Sequence, residues 1–578
     1  MLYICMYVCS LTRSSRCTWG MPIKLAFKTL GPGLSIVMTA PVTLDVDTFL
    51  QRLQRFRTLW KRQINSNDGS SAEKFDVAMF TLGGPSDMTI YQKTTAMFTW
   101  FLGYEFPETV MIIGKEVVIF IATVRKCVIL DVLAAKDPSI KVLRREKEPG
   151  KGEPAFKTAW ESIKQTSTSP DSIKVGILAK DKNDGPMTKE WLDYSLCQSY
   201  EAIDIAAEIG TILATKDEKE RQLLNVASKA TSLIFNGYYS RRILNYIDDG
   251  KRISHIAITE EIESSIMKQL SRMKNDMPPG TNVELMDICY PPIIQSGGTY
   301  SLKPSAISND DNLAGKGFIV SSIGLRYRSY CANMARTFLI DGAKDDEAIL
   351  AFAYDLQKHV ASLLKSGVVL SSVFAAGMEY VREKRPDLEK HVVANFGFGI
   401  GLEFRAPEYL INARCNRRIA EGMTFNLVVG FQDLFGGKGA VMLADTVMCR
   451  DDSSSFMTFG LSELGDVSFS LSTANKPISS RIASTPVSDS IIKTRLRSQT
   501  GPRKDENTEK KRREHQKELG VLRVREALER YASSEGPSDG KCKEKVQKFE
   551  SYRKEALLPK DLGVNGSIKV NIPIVLGP

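Results

Sequence analysis

Few residues in this chain stand at spacings that could do chemistry. The four histidines, His255, His359, His391 and His515, fall in no metal-ligand frame, so surface or satisfied core roles are expected for them. The ten cysteines are scattered, with no CxxC pair and no ligand-like spacing. That is the usage of reduced thiols in an intracellular protein, most of them small apolar filler. Gly83-Gly84-Pro85 reads as a turn and not a phosphate loop, because no Lys-Ser/Thr comes after it. A dinuclear metal hydrolase needs several carboxylates to hold two divalent ions about 3.5–4 Å apart. Glu403 and Asp445 are candidate acids, but two acids without a histidine cannot hold such a pair.

At 578 residues the chain is too long for one core, and two or three domains are expected. Composition is that of a globular protein, 43% hydrophobic and 25% charged. No stretch is long and apolar enough to span a bilayer. The richest one, Glu108–Leu133, is interrupted by Lys115, Glu116, Arg125 and Lys126, and reads as strands joined by a turn at Gly114-Lys115. The net charge of +10 is unevenly placed. Residues 491–578 hold 21 Lys and Arg against 13 Asp and Glu, while the remaining residues hold 57 against 55. The body is therefore nearly neutral, and only the tail argues for an anionic partner.

The elements that must position any site are set by periodicity. Residues 1–37 fit poorly with the rest of the chain and read as a non-native or disordered extension, with the natural start near Met38. Residues 38–180 read as a first α/β domain. Helices are expected over Val46–Ile64, Tyr91–Leu102 and Ala155–Lys164, and strands over Phe75–Phe80, Val110–Ile113, Val117–Ile121, Cys127–Leu130 and Ile173–Leu178. Residues 181–450 form a second domain, with helices over Ser199–Thr215, from Asp217 to Asn245, over Thr259–Lys274 and over Asp345–Lys365, and a break at Pro386. Residues 451–545 read as linker and then a charged helix at 502–530, with one strand at Val467–Leu471. The basic helix reads as a solvated face, since no aromatic residues interleave. Residues 546–578 close on a strand, Ile568–Leu576, that has no visible partner.

The stretch Phe318–Phe338, FIVSSIGLRYRSYCANMARTF, reads as two strands around a polar bend at Arg326–Tyr330, the first closed by Gly324. It resembles the metal-binding hairpin of the pita-bread peptidases, the methionine aminopeptidase, aminopeptidase P and creatinase family. Further resemblance lies in Thr215–Ala230, in Gly397-Phe398-Gly399-Ile400-Gly401-Leu402, in Glu421-Gly422-Met423-Thr424-Phe425 and in Asp445-Thr446-Val447. The resemblance implies where two Asp, two Glu and one His would hold metal. Ser322 and Asn333 stand at the Asp positions, Phe398 at the His, and Val428 and Ala444 at the Glu positions. Ser305 and Arg405 stand where two further cleft histidines would be. Neutral amide and hydroxyl groups are poor ligands for a hard divalent ion, and Phe, Val and Ala offer none. No metal, no cofactor and no catalysis are expected. Arg336, in the retained Arg336-Thr337-Phe338, reads as structural, packed on the sheet.

A peptidase-like fold emptied of ligands, behind an aminopeptidase P-like lobe, is similar to the large-subunit family of FACT-type histone chaperones. Asn395-Phe396-Gly397 through Arg405, Arg513–Leu519 and Phe549–Arg553 with Leu558-Pro559-Lys560 carry that likeness. It implies an α/β (α+β) architecture of a small lobe, a pita-bread pseudo-peptidase domain and a charged tail. It also implies a nuclear, chromosome-associated protein that binds histones and nucleosomes during transcription, replication and repair. The implied partners are a smaller FACT subunit, carrying an HMG box or a dimerisation surface, and the replication and transcription machinery. Direct DNA binding is expected to be weak or absent. The family continues into dimerisation and middle domains and an acidic tail, so 546–578 is expected to be the start of an incomplete dimerisation domain. The rival expectation is a divergent Xaa-Pro metallo-aminopeptidase with an altered site.

Overall fold

The computed structural model describes residues 43–65, 75–84, 90–146, 152–166, 173–182, 184–471 and 477–480. The expectations for 1–37, for 502–530 and for 546–578 fall outside the described residues.

The first sheet is built from β1 (Val77–Leu82), β2 (Thr109–Gly114), β3 (Val118–Thr123), β4 (Ile140–Arg145), β5 (Ile173–Ile177) and β6 (Tyr200–Asp204), in the order β4-β3-β2-β1-β5-β6. The central strands β1 and β2 are buried along their whole length, which is why they read as continuous apolar runs. Alternate residues feed separate cores. Ala78 and Phe80 pack with Phe49, Phe56 and Trp100, whereas Val77 and Met79 pack with Phe156, Trp160 and Trp191.

Two expected elements of this region are corrected. Cys127–Leu130 is not a strand but part of the helix Val124–Lys136. Its buried residues, Cys127, Leu130 and Leu133, recur at helical spacing, and the valines between them point outward. Ser199–Thr215 is not one helix. Tyr200–Asp204 is a strand parallel to β5, and only Ala206–Ala214 is helical. Strand β4 and the helix Pro186–Leu196 are additions to the elements expected from the sequence.

The second sheet has ten strands: β7 (Met286–Ile288), β8 (Ile293–Ser296), β9 (Gly317–Tyr327), β10 (Tyr330–Ile340), β11 (Gly397–Gly399), β12 (Ala406–Leu410), β13 (Thr424–Leu434), β14 (Gly439–Cys449), β15 (Ser454–Phe456) and β16 (Ser468–Phe469). The order β12-β11-β13-β14-β10-β9-β7 places the long strands at the centre. The hairpin β9–β10 is longer than the sequence indicates, and Gly324 does not end its first strand. Its turn is Arg328-Ser329, with φ of 46° and 67°, the left-handed pair of a two-residue hairpin turn.

The helix expected from Asp217 runs as Glu218–Ile234, one π turn at Phe235–Tyr239, and Ser240–Asp248. Asp217 and Glu220 close a reciprocal capping box at its start, each accepting the other's backbone N–H at 2.9 Å. The helices Lys344–Leu363 and Leu370–Lys384 bury their apolar stripes in the same core as the ten-stranded sheet. A 3₁₀ turn, Pro386–His391, marks the expected break.

The linker expected from 451 is corrected over residues 451–471 and 477–480. Strand β15 pairs with β14 and β16 with β10, and Leu461, Val467, Phe469 and Ile478 join the core. A buried ion pair fixes this segment. Arg336 holds Asp445 with both terminal nitrogens at 3.0 Å and also donates to the carbonyls of Leu461 and Gly460. Asp445 accepts from Thr458 and Gln357 as well. Removing one partner would leave a buried charge unanswered. Arg336→Ala is therefore expected to destabilise the fold by about 3–5 kcal/mol in chemical denaturation. The double change Arg336→Met with Asp445→Leu is expected to recover much of that loss.

Candidate functional site

Strand register brings five of the seven positions singled out in the sequence onto one face of the large sheet. Ser322 lies opposite Ala335, Ala335 opposite Ala444, and Ala444 opposite Val428, one row across β9, β10, β14 and β13. The next row along the same face holds Gly324 opposite Asn333, Thr446 opposite Asn426, and Asn426 opposite Phe398. Of the remaining two, Ser305 lies in the exposed loop between β8 and β9. Arg405 is exposed beyond β11, its guanidinium 5.6 Å from the Phe398 ring centroid.

The centre of this face is closed by Tyr290, which the sequence did not single out. Its hydroxyl lies 2.5 Å from both Ser322 Oγ and Asn333 Oδ1. A phenol has one proton, and the Asn333 amide oxygen can only accept, so Tyr290 donates to Asn333 and accepts from Ser322. Asn333 passes the chain on, donating through Nδ2 to Asn426 Oδ1 at 3.2 Å. Burial pushes the Tyr290 phenol above its ordinary pKa, and the Ser322 contact offsets this in part. Gly324 makes the space, since a Cβ there would lie 3.1 Å from the Tyr290 ring and 3.2 Å from Asn333 Oδ1. Phe404 covers the site, its ring centroid 5.2 Å from Tyr290 and 5.9 Å from Phe398. Tyr91, from the first lobe, closes the far side, 6.2 Å from Phe404.

The nearby acids are committed elsewhere. Asp445 stands opposite Met334, one residue out of step with Ala444, and so faces the other side of the sheet. Glu403 is bound to Lys93 of the first lobe, whose Nζ lies 2.7 and 2.8 Å from its two oxygens and 3.0 Å from Glu408. Burial works against the Lys93 ammonium, but Glu403 and Glu408 outweigh it and hold its pKa above the ordinary lysine value. Lys216, also beside this junction, is pulled down to about 8 by burial, with Glu220 and Glu403 opposing the shift. Among the described residues no group of three or more His, Cys, Asp or Glu gathers as a metal ion would require. His255 is a satisfied core residue between Asn309 and Ser296, and His359 stacks on Tyr380. His391 bonds the Gln432 carbonyl, and His515 lies outside the described residues.

Known proteins share both the lobe and the sheet that carries this face. The profile of the FACT complex subunit SPT16 N-terminal lobe domain matches residues 44–208, and that of metallopeptidase family M24 matches residues 222–451. The solved N-terminal domain of SPT16 from Cicer arietinum is 30% identical, with a TM-score of 0.65, over 74% of this chain and 100% of that one. The chain belongs to the SPT16 family of FACT complex subunits. The corresponding domain from Eremothecium gossypii is 29% identical with a TM-score of 0.68, over 74% of this chain and 100% of that one. FACT complex subunit SPT16 of Mycosarcoma maydis is 33% identical over 90% of this chain and 52% of its own length. The chain thus spans about half the length of the curated relatives it matches. The SPT16-type lobe and the M24 match identify the architecture as an α/β lobe ahead of a pita-bread domain, as the sequence resemblance implied.

The Tyr290 hydroxyl is the hinge of the polar chain on this face. Tyr290→Phe keeps the ring and leaves Ser322 and Asn333 without their shared partner. It is expected to cost about 1–3 kcal/mol in denaturant unfolding, the range for a buried polar group losing its bond. The same change made in an Asn333→Ala background is expected to cost less, because the orphaned acceptor is gone.

Proposed function

We propose that this SPT16-family chain is a non-catalytic, histone-binding part of a FACT-type histone chaperone. It acts on nucleosomes in the nucleus during transcription, replication and repair. One observation carries the reading: the sheet face where the peptidase fold would hold its ions presents Ser322, Asn333, Phe398, Val428 and Ala444, tied together or packed, with no carboxylate or imidazole among them. Divalent ions in hydrolases are held by anionic oxygens and imidazoles. Hydroxyl, amide, ring and methyl groups do not fit that need, Asp445 faces away, and Glu403 is neutralised by Lys93. No hydrolytic step is therefore derived for this chain, and the divergent Xaa-Pro aminopeptidase reading loses its chemistry.

The family relation supports the chaperone side of the proposal, since the relatives are named as subunits of the FACT complex. In this reading the amino-terminal lobe runs past the expected boundary at 180 and includes the helix Pro186–Leu196 and β6, and the pseudo-peptidase domain follows it and takes in the described residues up to 471 and 477–480. The partners are histones, nucleosomes, a smaller FACT subunit and the replication and transcription machinery. The nearly neutral body gives no broad positive field for DNA, so recognition rests on protein surfaces.

The test is chemical crosslinking of the full chain to core histones, read by mass spectrometry, beside an Xaa-Pro peptide hydrolysis assay with Mn, Co or Zn added. Reproducible histone crosslinks on the described lobes and no hydrolysis above buffer are expected. Metal-dependent cleavage, or a complete lack of histone crosslinks, would count against the proposal.

A further inference from the structure

Away from the closed cleft, a groove of about 810 Å³ runs between the first helix and the edge of the large sheet. One wall is the outer face of Val46–Asn65, with Gln51, Gln54, Arg55 and Thr58. The other carries Arg417 and Arg418, from the segment after β12. None of the seven positions singled out in the sequence lines it. Its size lies within the range of ligand pockets, about 300–1,000 Å³.

The groove has one sign of charge. Three guanidinium groups line it and no carboxylate does. Each is held in place by neutral oxygens. Arg55 donates to the carbonyls of Ile212 and Thr215 at 3.2 and 2.8 Å. Arg417 donates to Thr211 Oγ1 at 2.7 Å and lies 5.2 Å from the Tyr409 ring centroid. Arg418 donates to the Gly367 carbonyl at 2.9 Å. Among the described residues only Arg55 of the three meets a carboxylate, the buried Glu220, at 4.0 Å. A guanidinium has five donors, so these anchors orient each group and leave donors for a ligand. Three fixed positive charges in a groove of a nearly neutral body focus potential on an anion.

We propose that this groove binds a short acidic peptide segment of a partner protein. The remaining lining favours a peptide over a nucleic acid. Gln51 and Gln54 are exposed and offer both donors and acceptors, which match peptide amides; a phosphodiester offers acceptors alone. The one aromatic residue of the lining, Tyr409, is 3% exposed and already beside Arg417, so there is no platform for stacking bases. The charge also excludes basic histone tails from this groove. An acidic partner bound here and histones bound on another face need not compete.

The assignment stands apart from the chaperone proposal and is tested without histones. A fluorescent Glu/Asp-rich peptide is titrated with the full chain and followed by anisotropy. A Lys-substituted copy and a single-stranded DNA oligonucleotide of equal charge are run beside it. Saturable binding of the acidic peptide that weakens with salt is expected, with the other two probes weaker. Arg417→Glu with Arg418→Glu is expected to reduce affinity by about tenfold or more. Thr58→Glu, which adds a carboxylate to the exposed wall and removes no arginine, is expected to act in the same direction and decides the matter if the double variant does not fold. Absence of saturable binding, or affinity unchanged in Thr58→Glu, would overturn the proposal. DNA binding at least as tightly and being lost in the same variants would overturn it too, by making the groove a phosphate site.

Discussion

Every polar side chain on the inner face of the large sheet needs a partner, because burying one without a bond costs free energy. In a metallopeptidase that demand is met by ions. Here it is met by a short chain of neutral hydrogen bonds from Ser322 through Tyr290 and Asn333 to Asn426. The chain works only because Gly324 has no side chain, which lets the Tyr290 ring lie against the hairpin. Rings of Phe398 and Phe404 then cover what remains. This face of the sheet is thus filled by neutral hydrogen bonds and packed rings.

The frame persists for reasons unrelated to metal. Gly397 has φ of 121°, and a Cβ there would lie 2.0 Å from the Asn426 carbonyl oxygen, so the approach of β11 to β13 forbids a side chain. On the opposite face, Arg336 and Asp445 tie β10 to β14 and to the chain beyond it. Strand periodicity keeps the two faces independent: Ala444 and its neighbour Asp445 point to opposite sides of the sheet, so the side chain at 444 does not enter the ion pair. The glycine and the ion pair thus hold the frame whatever side chains stand on the inner face.

What could be read in the sequence was what lies on regular strands. The five positions stand one to a strand, so alternation alone could not join them; it was the resemblance to the peptidase motifs that implied their common cleft. Tyr290 was not foreseeable, because it sits in a loop 32 and 43 residues from Ser322 and Asn333, where no periodicity reports on partners. The junction of Lys93 with Glu403 joins residues 310 apart and left no local trace. The helix Val124–Lys136 reads in part as a strand because Val124, Val128 and Val132 are exposed, which hides its amphipathic period. Residues 451–469 are rich in Ser and Asp, the composition of a linker. Their pairing with β14 and β10 is decided by tertiary contacts that composition does not carry.

The proposed non-catalytic role rests on one physical claim, that this face cannot hold divalent ions. Elemental analysis after equilibrium dialysis of the full chain against Mn, Co or Zn tests it most directly. No stoichiometric metal above a buffer control is expected. One or two equivalents retained through dialysis, and lost when Asn333 and Asn426 are replaced by alanine, would contradict it.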